Sequence, residues 1–258
     1  MFSKSFGFIG GGRIVTILLN ALKNVNKLPN NICVSDNNKV VLEKLQNKFS
    51  GINVSEDNSI PAKCELVFIS LHPPVIIPTL ESIKENLKAN SIIISLAPKV
   101  TINMIKDKLG ADVKVVRLIP NAPSFINKGY NPVVFSANIS DKEKSELLEL
   151  LNIFGNTPEV DEEKLESYAI ITAMGPTYFW FQMEKLFNLG KEFGLTEQEL
   201  KKSMVEMFKG AVDTLFSSDL NFSEVIDLIP VKPLKENEKQ IEEIYDNNLL
   251  AMFNKLKN

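Results

Sequence analysis

The first part of the chain alternates short apolar runs with longer amphipathic stretches. Unalternating apolar runs of this kind are typical of strands covered on both faces of a parallel sheet. They lie at 5–10, 31–36, 52–55, 65–71, 91–96, 114–120 and 130–137. Apolar residues at helical spacing follow the first two runs, and another helix begins at Ser140 or Asp141. This order of elements predicts an α/β fold with a doubly wound open sheet.

After about residue 160 the strand patterns end. The remaining segments carry apolar residues at helical spacing, which predicts an all-helical second domain. These segments are LESYAIITAM and the stretches 175–194, 195–218 and 238–258. We therefore predict a first domain over 1–158 and a second over 159–258.

Composition narrows the classes of partner. The chain has 29 basic and 32 acidic residues, a net charge of −3 and no basic stripe, so we expect no nucleic-acid partner. No apolar run reaches the roughly 20 residues of a membrane span, and no secretory signal is evident, so we expect a cytoplasmic protein without a membrane partner. Cys33 and Cys64 lie in apolar segments without metal-ligand spacing, so we expect reduced core thiols and no metal site.

The glycine run of GFIGGGRI follows a predicted strand and opens a predicted helix. In that setting Gly10, Gly11 and Gly12 predict a pyrophosphate site, with backbone N–H groups and the helix N-terminus favouring an anion. Arg13 and Ile14 begin the helix beside it. The match is imperfect, because valine follows Ile14 where the motif has glycine or alanine, and a simple tight turn is the alternative.

The end of the second predicted strand indicates which dinucleotide binds. Asp36 lies 26 residues after Gly10, roughly where an acidic residue receives a ribose 2′-hydroxyl, and Ser35 and Asn37 flank it. No arginine stands there to pair with a 2′-phosphate, so NAD is slightly favoured over NADP. Lys39 and nearby asparagines leave NADP open, and Asp36 could instead be a turn residue.

Three further loops follow strands at the same predicted edge of the sheet. LHPP brings Leu71, His72 and Pro73 to this edge, although a lone histidine is more often a loop residue than a catalytic acid or base. In the second loop, Ala97 and Pro98 would form a pocket wall, with Lys99 either solvated or near the substrate.

The third loop, in VVRLIPNAPSFINKGY, holds Asn121 between Pro120 and Pro123. Because each proline restricts the residue before it, the loop is stiff. Asn121 is therefore a candidate to hold the nicotinamide amide or the substrate. A proline-rich structural turn is the alternative.

The helix beginning at Pro176 has aromatic and aliphatic residues over most of its circumference, which indicates burial on nearly every side. Glu184 lies among them, where desolvation would raise its pKa. Such a carboxylate is either a site residue or a structural ion-pair partner.

Together, GFIGGGRI, LHPP, SLAPKVTI, VVRLIPNAPSFINKGY and MGPTY resemble the pyrroline-5-carboxylate reductase family in order and spacing over roughly residues 5–215. The resemblance implies a Rossmann domain, a helical dimerisation domain and hydride transfer from NAD(P)H to a cyclic imine to give proline. It also implies that Gly10 and Gly12 bind pyrophosphate and that His72 and Pro73 lie beside the nicotinamide. Asn121 and Pro123 would border the reaction site.

The chain departs from the family pattern at two places. Thr172, Met174 and Gly175 lie in a stretch where the family has S-G-S-G-P. After DLNFSEVIDL, IPVKPLKENEKQ replaces a loop rich in hydroxyls and glycines, so Lys232 could supply a counter-charge to the substrate carboxylate but not the same nest of N–H donors.

We therefore predict an NAD(P)H-dependent reductase of the pyrroline-5-carboxylate reductase type, acting on that cyclic imine or on a related small imine or carbonyl compound, as a homodimer through its C-terminal helices. The candidate catalytic residues are Asn121, Glu184 and Thr172. The candidate substrate residues are Pro123, Met174, Gly175 and Lys232. The alternatives are a cofactor-binding homologue without proline-forming activity and a reductase with another hydride carrier, as in deazaflavin-dependent NADP oxidoreductases.

Overall fold

The computed structural model describes residues 4–257 and divides them into two compact units. The first contains residues 4–174 together with 253–257, and the second contains residues 175–252. This division lies after the sequence-based boundary at 158/159, because Leu165 and Ala169 pack against Ile119 in the first unit.

The first unit contains nine strands. Their bounds are β1 Phe6–Ile9, β2 Ile32–Ser35, β3 Asn53–Ser55, β4 Leu66–Ile69, β5 Ile92–Ser95, β6 Lys114–Leu118, β7 Gly129–Tyr130, β8 Val133–Phe135 and β9 Gly155–Asn156. Seven of them form one sheet in the order β3-β2-β1-β4-β5-β6-β8, in which all pairs are parallel except β6 with β8. Helices flank this sheet. The predicted doubly wound α/β fold is confirmed.

The helices of this unit are α1 Arg13–Asn24, α2 Lys39–Lys48, α3 Ser59–Ala62, α4 Pro73–Ile83, α5 Ile102–Leu109, α6 Asp141–Leu151 and α7 Leu165–Tyr168. Two of them, α4 and α5, begin in the strand-end loops, and we did not predict them from the sequence. A π-helical turn, Ala169–Ala173, follows α7. The predicted helix over LESYAIITAM is therefore a short α-helix followed by a wider turn.

The two faces of the sheet bury different side chains. On one face, Phe6, Phe8 and Phe68 form an aromatic group, with the Phe8 and Phe68 rings stacked at 4.6 Å between centroids. On the other face, Ile69 and Ile93 pack with the buried side of α4 and α5. Burial on both faces explains why these strands read as continuous apolar runs.

Neighbouring strands end level with one another at the carboxyl edge. Ile9 pairs with Ser35 and with Ile69, and Ile69 pairs with Ser95. The loops that follow β1, β2, β4 and β5 therefore leave the sheet side by side. In sheets of this kind, ligands bind at that edge.

The second unit is helical. Its helices are α8 Pro176–Glu192, α9 Glu197–Ser217, α10 Phe222–Asp227 and α11 Glu238–Tyr245, and the chain then enters α12 Ala251–Lys257. Tyr178 meets Tyr245 edge-on, with ring centroids 6.0 Å apart. The predicted all-helical C-terminal region is confirmed.

The sequence predicts burial of α8 on nearly every side, as in a dimer core, and one copy of the chain does not provide that burial. Phe179 is 48% exposed, Trp180 50% and Phe181 66%, and Glu184 is exposed as well. Within the described residues 175–252, only Gly175, Gly190 and Leu200 are buried. The apolar faces of these helices lack covering side chains in one copy of the chain.

Gly7 offers a test of packing beneath the sheet. A Cβ at this position would lie 2.0 Å from the carbonyl oxygen of Pro61, so one of the two backbones must move. We expect Gly7→Ala to lower the free energy of unfolding by about 3 kcal/mol or more, measured by denaturant titration. Gly51→Ala is the control, because Gly51 has φ +92° and open space around it. Its loss from backbone strain alone should be about 1 kcal/mol. An equal loss in both variants would contradict the packing argument.

Candidate functional site

In the glycine turn after β1, the backbone lies very close to neighbouring atoms. Gly10 has φ +93°, and a Cβ there would lie 2.6 Å from the Ser70 carbonyl oxygen, so only glycine fits without strain. Gly12 is the N-cap of α1 and has nothing within 4 Å of a Cβ position. No side chain caps α1, and its first turn has no acidic residue. These features leave a helix N-terminus open to an anion.

Asp36 lies beside this turn, as predicted from its position after β2. Its Oδ2 accepts a hydrogen bond from the Gly11 N–H at 2.8 Å, and its Oδ1 accepts one from the Asn38 N–H at 2.8 Å. The side chain is half-buried. The carboxylate therefore joins the glycine turn to the start of α2, where it can face a ribose as well as a backbone donor.

A cavity of about 660 Å³ opens at the glycine turn. Five of the predicted cofactor residues line it, namely Gly11, Gly12, Arg13, Ile14 and His72. The other lining residues were missed: Thr16, Val41, Lys44, Leu45, Lys48 and Ser70. The sequence contains patterns that could have identified some of these residues. Val41, Leu45 and Lys48 repeat at helical spacing on α2, and Ser70 directly precedes LHPP.

Three independent features of this cavity suit a dinucleotide. Its volume falls in the usual range for cofactor sites. It meets the open N-terminus of α1, and Arg13, Lys44 and Lys48 add positive charge to its lining. The residues that would hold NAD(P) are thus the glycine turn, the first turn of α1 and Asp36, and a bound dinucleotide would bring the hydride donor to this edge of the sheet.

The remaining predicted cofactor residues surround the same edge. Ser35 is buried and donates its hydroxyl to Asn58 Oδ1 at 2.7 Å, so it shapes the turn from below. Leu71 packs on Gly10, and Pro73 is the first residue of α4. Ala97 is buried, Pro98 is half-buried, and Asn37 is exposed. Their contacts with a cofactor remain a prediction.

Asn121 is 6% exposed, and its side chain is engaged with the backbone. Its Oδ1 accepts from the Tyr130 N–H at 3.2 Å, and its Nδ2 donates to the Thr172 carbonyl at 3.2 Å. In addition, the Asn121 N–H donates to Asn131 Oδ1 at 3.1 Å. The predicted stiff loop is thus held by hydrogen bonds as well as by Pro120 and Pro123.

Thr172 belongs to the π-helical turn, and its hydroxyl donates to the Tyr168 carbonyl at 2.8 Å. The widened turn directs the Thr172 carbonyl to Asn121. π-Helical turns often occur at functional sites. Two predicted catalytic residues are therefore in direct contact, whereas a third, Glu184, is exposed on α8.

The candidate substrate residues are divided between the two units. Pro123 and Met174 belong to the first, and Gly175 and Lys232 belong to the second. Lys232 is half-buried in a stretch where Val231 is 72% exposed and Leu234 65% exposed. Nearby, Lys235 and Glu238 form an ion pair at 2.5 Å. The replacement of the family loop is thus a mostly exposed segment.

Arg117, on β6, is buried and pairs with two carboxylates. Its Nη1 donates to Glu162 Oε1 at 2.9 Å, and its Nη2 donates to Glu166 Oε1 at 2.8 Å. Burial raises the pKa of Glu166, but hydrogen bonds from Arg117 and from the Lys99 N–H outweigh it and hold the pKa below its ordinary value. Glu166 is therefore a carboxylate at neutral pH.

The cysteines are free thiols, Cys64 buried and Cys33 half-buried. Burial, together with the neighbouring Cys33, raises the pKa of the Cys64 thiol to about 12, which keeps it protonated and unreactive. Among residues 4–257, no group of three or more His, Cys, Asp or Glu side chains is placed to hold a metal ion. None of the described helices is both long and apolar enough to cross a membrane.

Comparison with known proteins extends these findings. Residues 5–99 match the family described as NADP oxidoreductase, coenzyme F420-dependent. The pyrroline-5-carboxylate reductase of Corynebacterium melassecola is 26% identical over 220 residues, which are 84% of this chain and 82% of that protein. The F420-dependent family match ends in the loop after β5, whereas the similarity to the reductase spans most of the chain.

Two solved structures share the fold over nearly the whole chain. The Plasmodium falciparum pyrroline carboxylate reductase with NADP bound superposes with a TM-score of 0.83 at 23% identity, covering 100% of this chain and 98% of that one. A pyrroline-5-carboxylate reductase from Coxiella burnetii superposes with a TM-score of 0.74 at 24% identity, covering 99% and 98%. The predicted resemblance is confirmed, and the matched family and the NADP-bound relative support the predicted NAD(P) class of cofactor.

Gly12 gives a test of the cofactor cradle. Because nothing lies within 4 Å of a Cβ at this position, Gly12→Ala should fold with only the small loss of stability that alanine causes at an N-cap. The added methyl group would occupy the space a pyrophosphate needs, so we expect NAD(P)H affinity to fall about tenfold or more, which is about 1.4 kcal/mol. Fluorescence titration with NADH and NADPH measures it. Unchanged affinity for both cofactors would contradict the assignment.

Proposed function

We propose that the chain, a member of the pyrroline-5-carboxylate reductase family by its motifs and its relatives, reduces the carbon–nitrogen double bond of a cyclic imine to give proline. The observation that carries the proposal is the open glycine cradle at the N-terminus of α1 in a chain similar to such a reductase over 84% of its length. The hydride comes from NADH or NADPH. We place the reaction in the cytoplasm, in line with two free cysteines.

The chemistry asks mainly for positioning. A protonated imine accepts hydride readily, so the protein contributes by holding two reactants in contact rather than by a strong general base. Gly10, Gly11 and Gly12 would bind the pyrophosphate, and Asp36 would bind the ribose. Bound NAD(P)H supplies the hydride.

The substrate would lie beside the nicotinamide. Asn121 and Thr172 would order the loop that borders it, with Pro123, Met174 and Gly175 nearby. Lys232 would provide the counter-charge for a carboxylate. His72 and Pro73, with Ala97 and Pro98, would form the wall on the cofactor side.

The active form would be a homodimer built from the second unit. Phe179, Trp180 and Phe181 on α8 are about half exposed or more, and Phe216 on α9 is 78% exposed. Exposed apolar surface of this extent is typical of a protein–protein interface. The apolar character of this surface does not by itself identify the partner. A second copy is the occupant that the family resemblance favours, and Glu184 would then become enclosed.

Activity is the first test. Purified protein should oxidise NAD(P)H in the presence of pyrroline-5-carboxylate and form proline. The loss of the absorbance of the reduced nicotinamide measures the oxidation, and product analysis detects the proline. Titration of both cofactors belongs to the same experiment. Because Asp36 repels a 2′-phosphate, we expect tighter binding of NADH than of NADPH. Tighter binding of NADPH would contradict that role for Asp36.

The negative outcomes of this assay have distinct meanings. If the protein binds the cofactor and reduces another imine or ketone but not pyrroline-5-carboxylate, it is a reductase, and the proposed substrate is wrong. Binding without turnover of any compound in a broad panel would favour a cofactor-binding homologue, with IPVKPLKENEKQ as the altered segment.

Assembly is the second test. Sedimentation should give twice the chain mass of 28.9 kDa. Phe181→Glu places a charge on the exposed face of α8 and should shift the protein to the monomer, because an unpaired charge in an apolar interface is costly. Val75→Glu is the control, since Val75 is 50% exposed on α4 in the first unit. A monomeric wild type, or dissociation by both variants alike, would count against the dimer through the helices.

A further inference from the structure

The loop between β5 and α5 is held by two carboxylates from the segment before and within α7. Glu166 Oε1 accepts from the Lys99 N–H at 3.0 Å, and the same oxygen accepts from Arg117 Nη2. Glu162 Oε1 accepts from the Ile102 N–H at 2.8 Å and from Arg117 Nη1. One oxygen of each carboxylate thus joins the buried guanidinium to a backbone amide, of Lys99 within the loop and of Ile102 at the start of α5.

Lys99 has an unusual backbone conformation in this loop. Its φ is +74°, a left-handed value that costs a non-glycine residue roughly 1 kcal/mol or more. Such strain persists where surrounding structure imposes it. The hydrogen bond to Glu166 acts on the amide of this same residue, so the carboxylate stabilises the conformation that the lysine disfavours.

The position of the loop links it to the candidate cofactor site. Ile69 on β4 pairs with Ser95 on β5, and the Leu96 N–H donates to the Ile69 carbonyl at 3.1 Å. The residues after β5 therefore leave the sheet beside the residues after β4. His72, which lines the cavity at the glycine turn, lies in that second group.

From this geometry we propose that Glu166 and Arg117 are positioning residues for the cofactor. They fix the Lys99 backbone in its left-handed conformation and so hold Ala97 and Pro98 as a rigid wall for the nicotinamide half of NAD(P)H. The proposal rests on the proposed function for the identity of the cofactor, but the ordering of the loop is a property of the protein alone.

An arginine is required for this arrangement. Its two Nη atoms reach two carboxylates from one planar group, and the guanidinium remains charged although Arg117 is 1% exposed. A lysine has a single nitrogen and cannot direct two fixed donors in this way. This geometry accounts for one of the only two arginines in a chain otherwise basic through lysine.

Two substitutions of Lys99 separate the backbone from the side chain. Lys99→Gly removes the side chain but keeps the N–H and favours a positive φ. Lys99→Pro removes the side chain and the N–H and fixes φ near −65°. Neither variant replaces Arg117 or either of its carboxylate partners. A third variant, Glu166→Gln, weakens the same hydrogen bond from the acceptor side. Glu81→Gln is the control, because it breaks an exposed ion pair between Glu81 and Lys108 that does not involve the loop.

The readouts are KM for NAD(P)H, KM for the imine, kcat, and hydrogen exchange of the backbone amides at 97–102 without cofactor. We expect Lys99→Pro and Glu166→Gln to raise KM for NAD(P)H about tenfold, because a misplaced wall weakens cofactor binding, with KM for the imine nearly unchanged. Both should speed exchange at 97–102. Lys99→Gly and Glu81→Gln should match the wild type, and Lys99→Gly should restore cofactor KM in the Glu166→Gln background.

Three results would overturn the proposal. One is an unchanged cofactor KM in Lys99→Pro, and another is an equal rise in Lys99→Gly, which would assign the effect to the side chain. The third is exchange at 97–102 that Glu166→Gln leaves unchanged. If the wild type binds neither NADH nor NADPH, the proposed function fails, and the exchange data still decide whether Glu166 orders the loop. If Glu166→Gln does not fold, the two Lys99 variants carry the test.

Discussion

The level carboxyl ends of β1, β2, β4 and β5 are the constraint on which the site depends. Parallel pairing in register, from Ile9 to Ser35 and Ile69 and from Ile69 to Ser95, fixes where each following loop leaves the sheet. The glycine turn, Asp36 and His72 come together for this reason, although they are far apart in sequence. A shift of one residue in any of these strands would turn its buried side chains to the other face, so the two cores also protect the alignment of the loops.

The charged side chains around Arg117 in the first unit also bind backbone N–H groups. A buried ion pair contributes little to stability by itself, because desolvation offsets its attraction. The pairs of Arg117 differ from simple pairs, since Glu162 and Glu166 also accept backbone N–H groups that would otherwise lack partners within the protein. Hydrogen bonds of this charged kind are stronger than neutral ones and set direction as well as distance. These carboxylates thus orient specific backbone N–H groups as well as pairing with the guanidinium.

Much of the fold and part of the site could be predicted from the sequence. The strands were evident because burial on both faces leaves long apolar runs, and the glycine turn was evident because only glycine adopts the φ of Gly10 beside Ser70. The helix α4 was missed because Pro73, Pro74 and Pro78 mask its pattern. Glu166 was missed for a different reason: its partners come from two other elements, and no local spacing encodes them. An apolar helix such as α8 reads alike whether its neighbours belong to its own chain or to another, so its pattern predicts burial but not how much of it one chain provides.

Asp36 has a consequence for attempts to redesign the coenzyme choice of this fold. The usual change would replace this carboxylate with a small neutral residue to admit a phosphorylated ribose. Here the same carboxylate closes the glycine turn through the Gly11 N–H and begins α2 through the Asn38 N–H. Removing it would forfeit charge-assisted bonds worth about 1.5–3 kcal/mol each in comparable settings. Asparagine keeps an acceptor oxygen for one of these donors, so it should disturb the glycine turn and the start of α2 less than a smaller residue would.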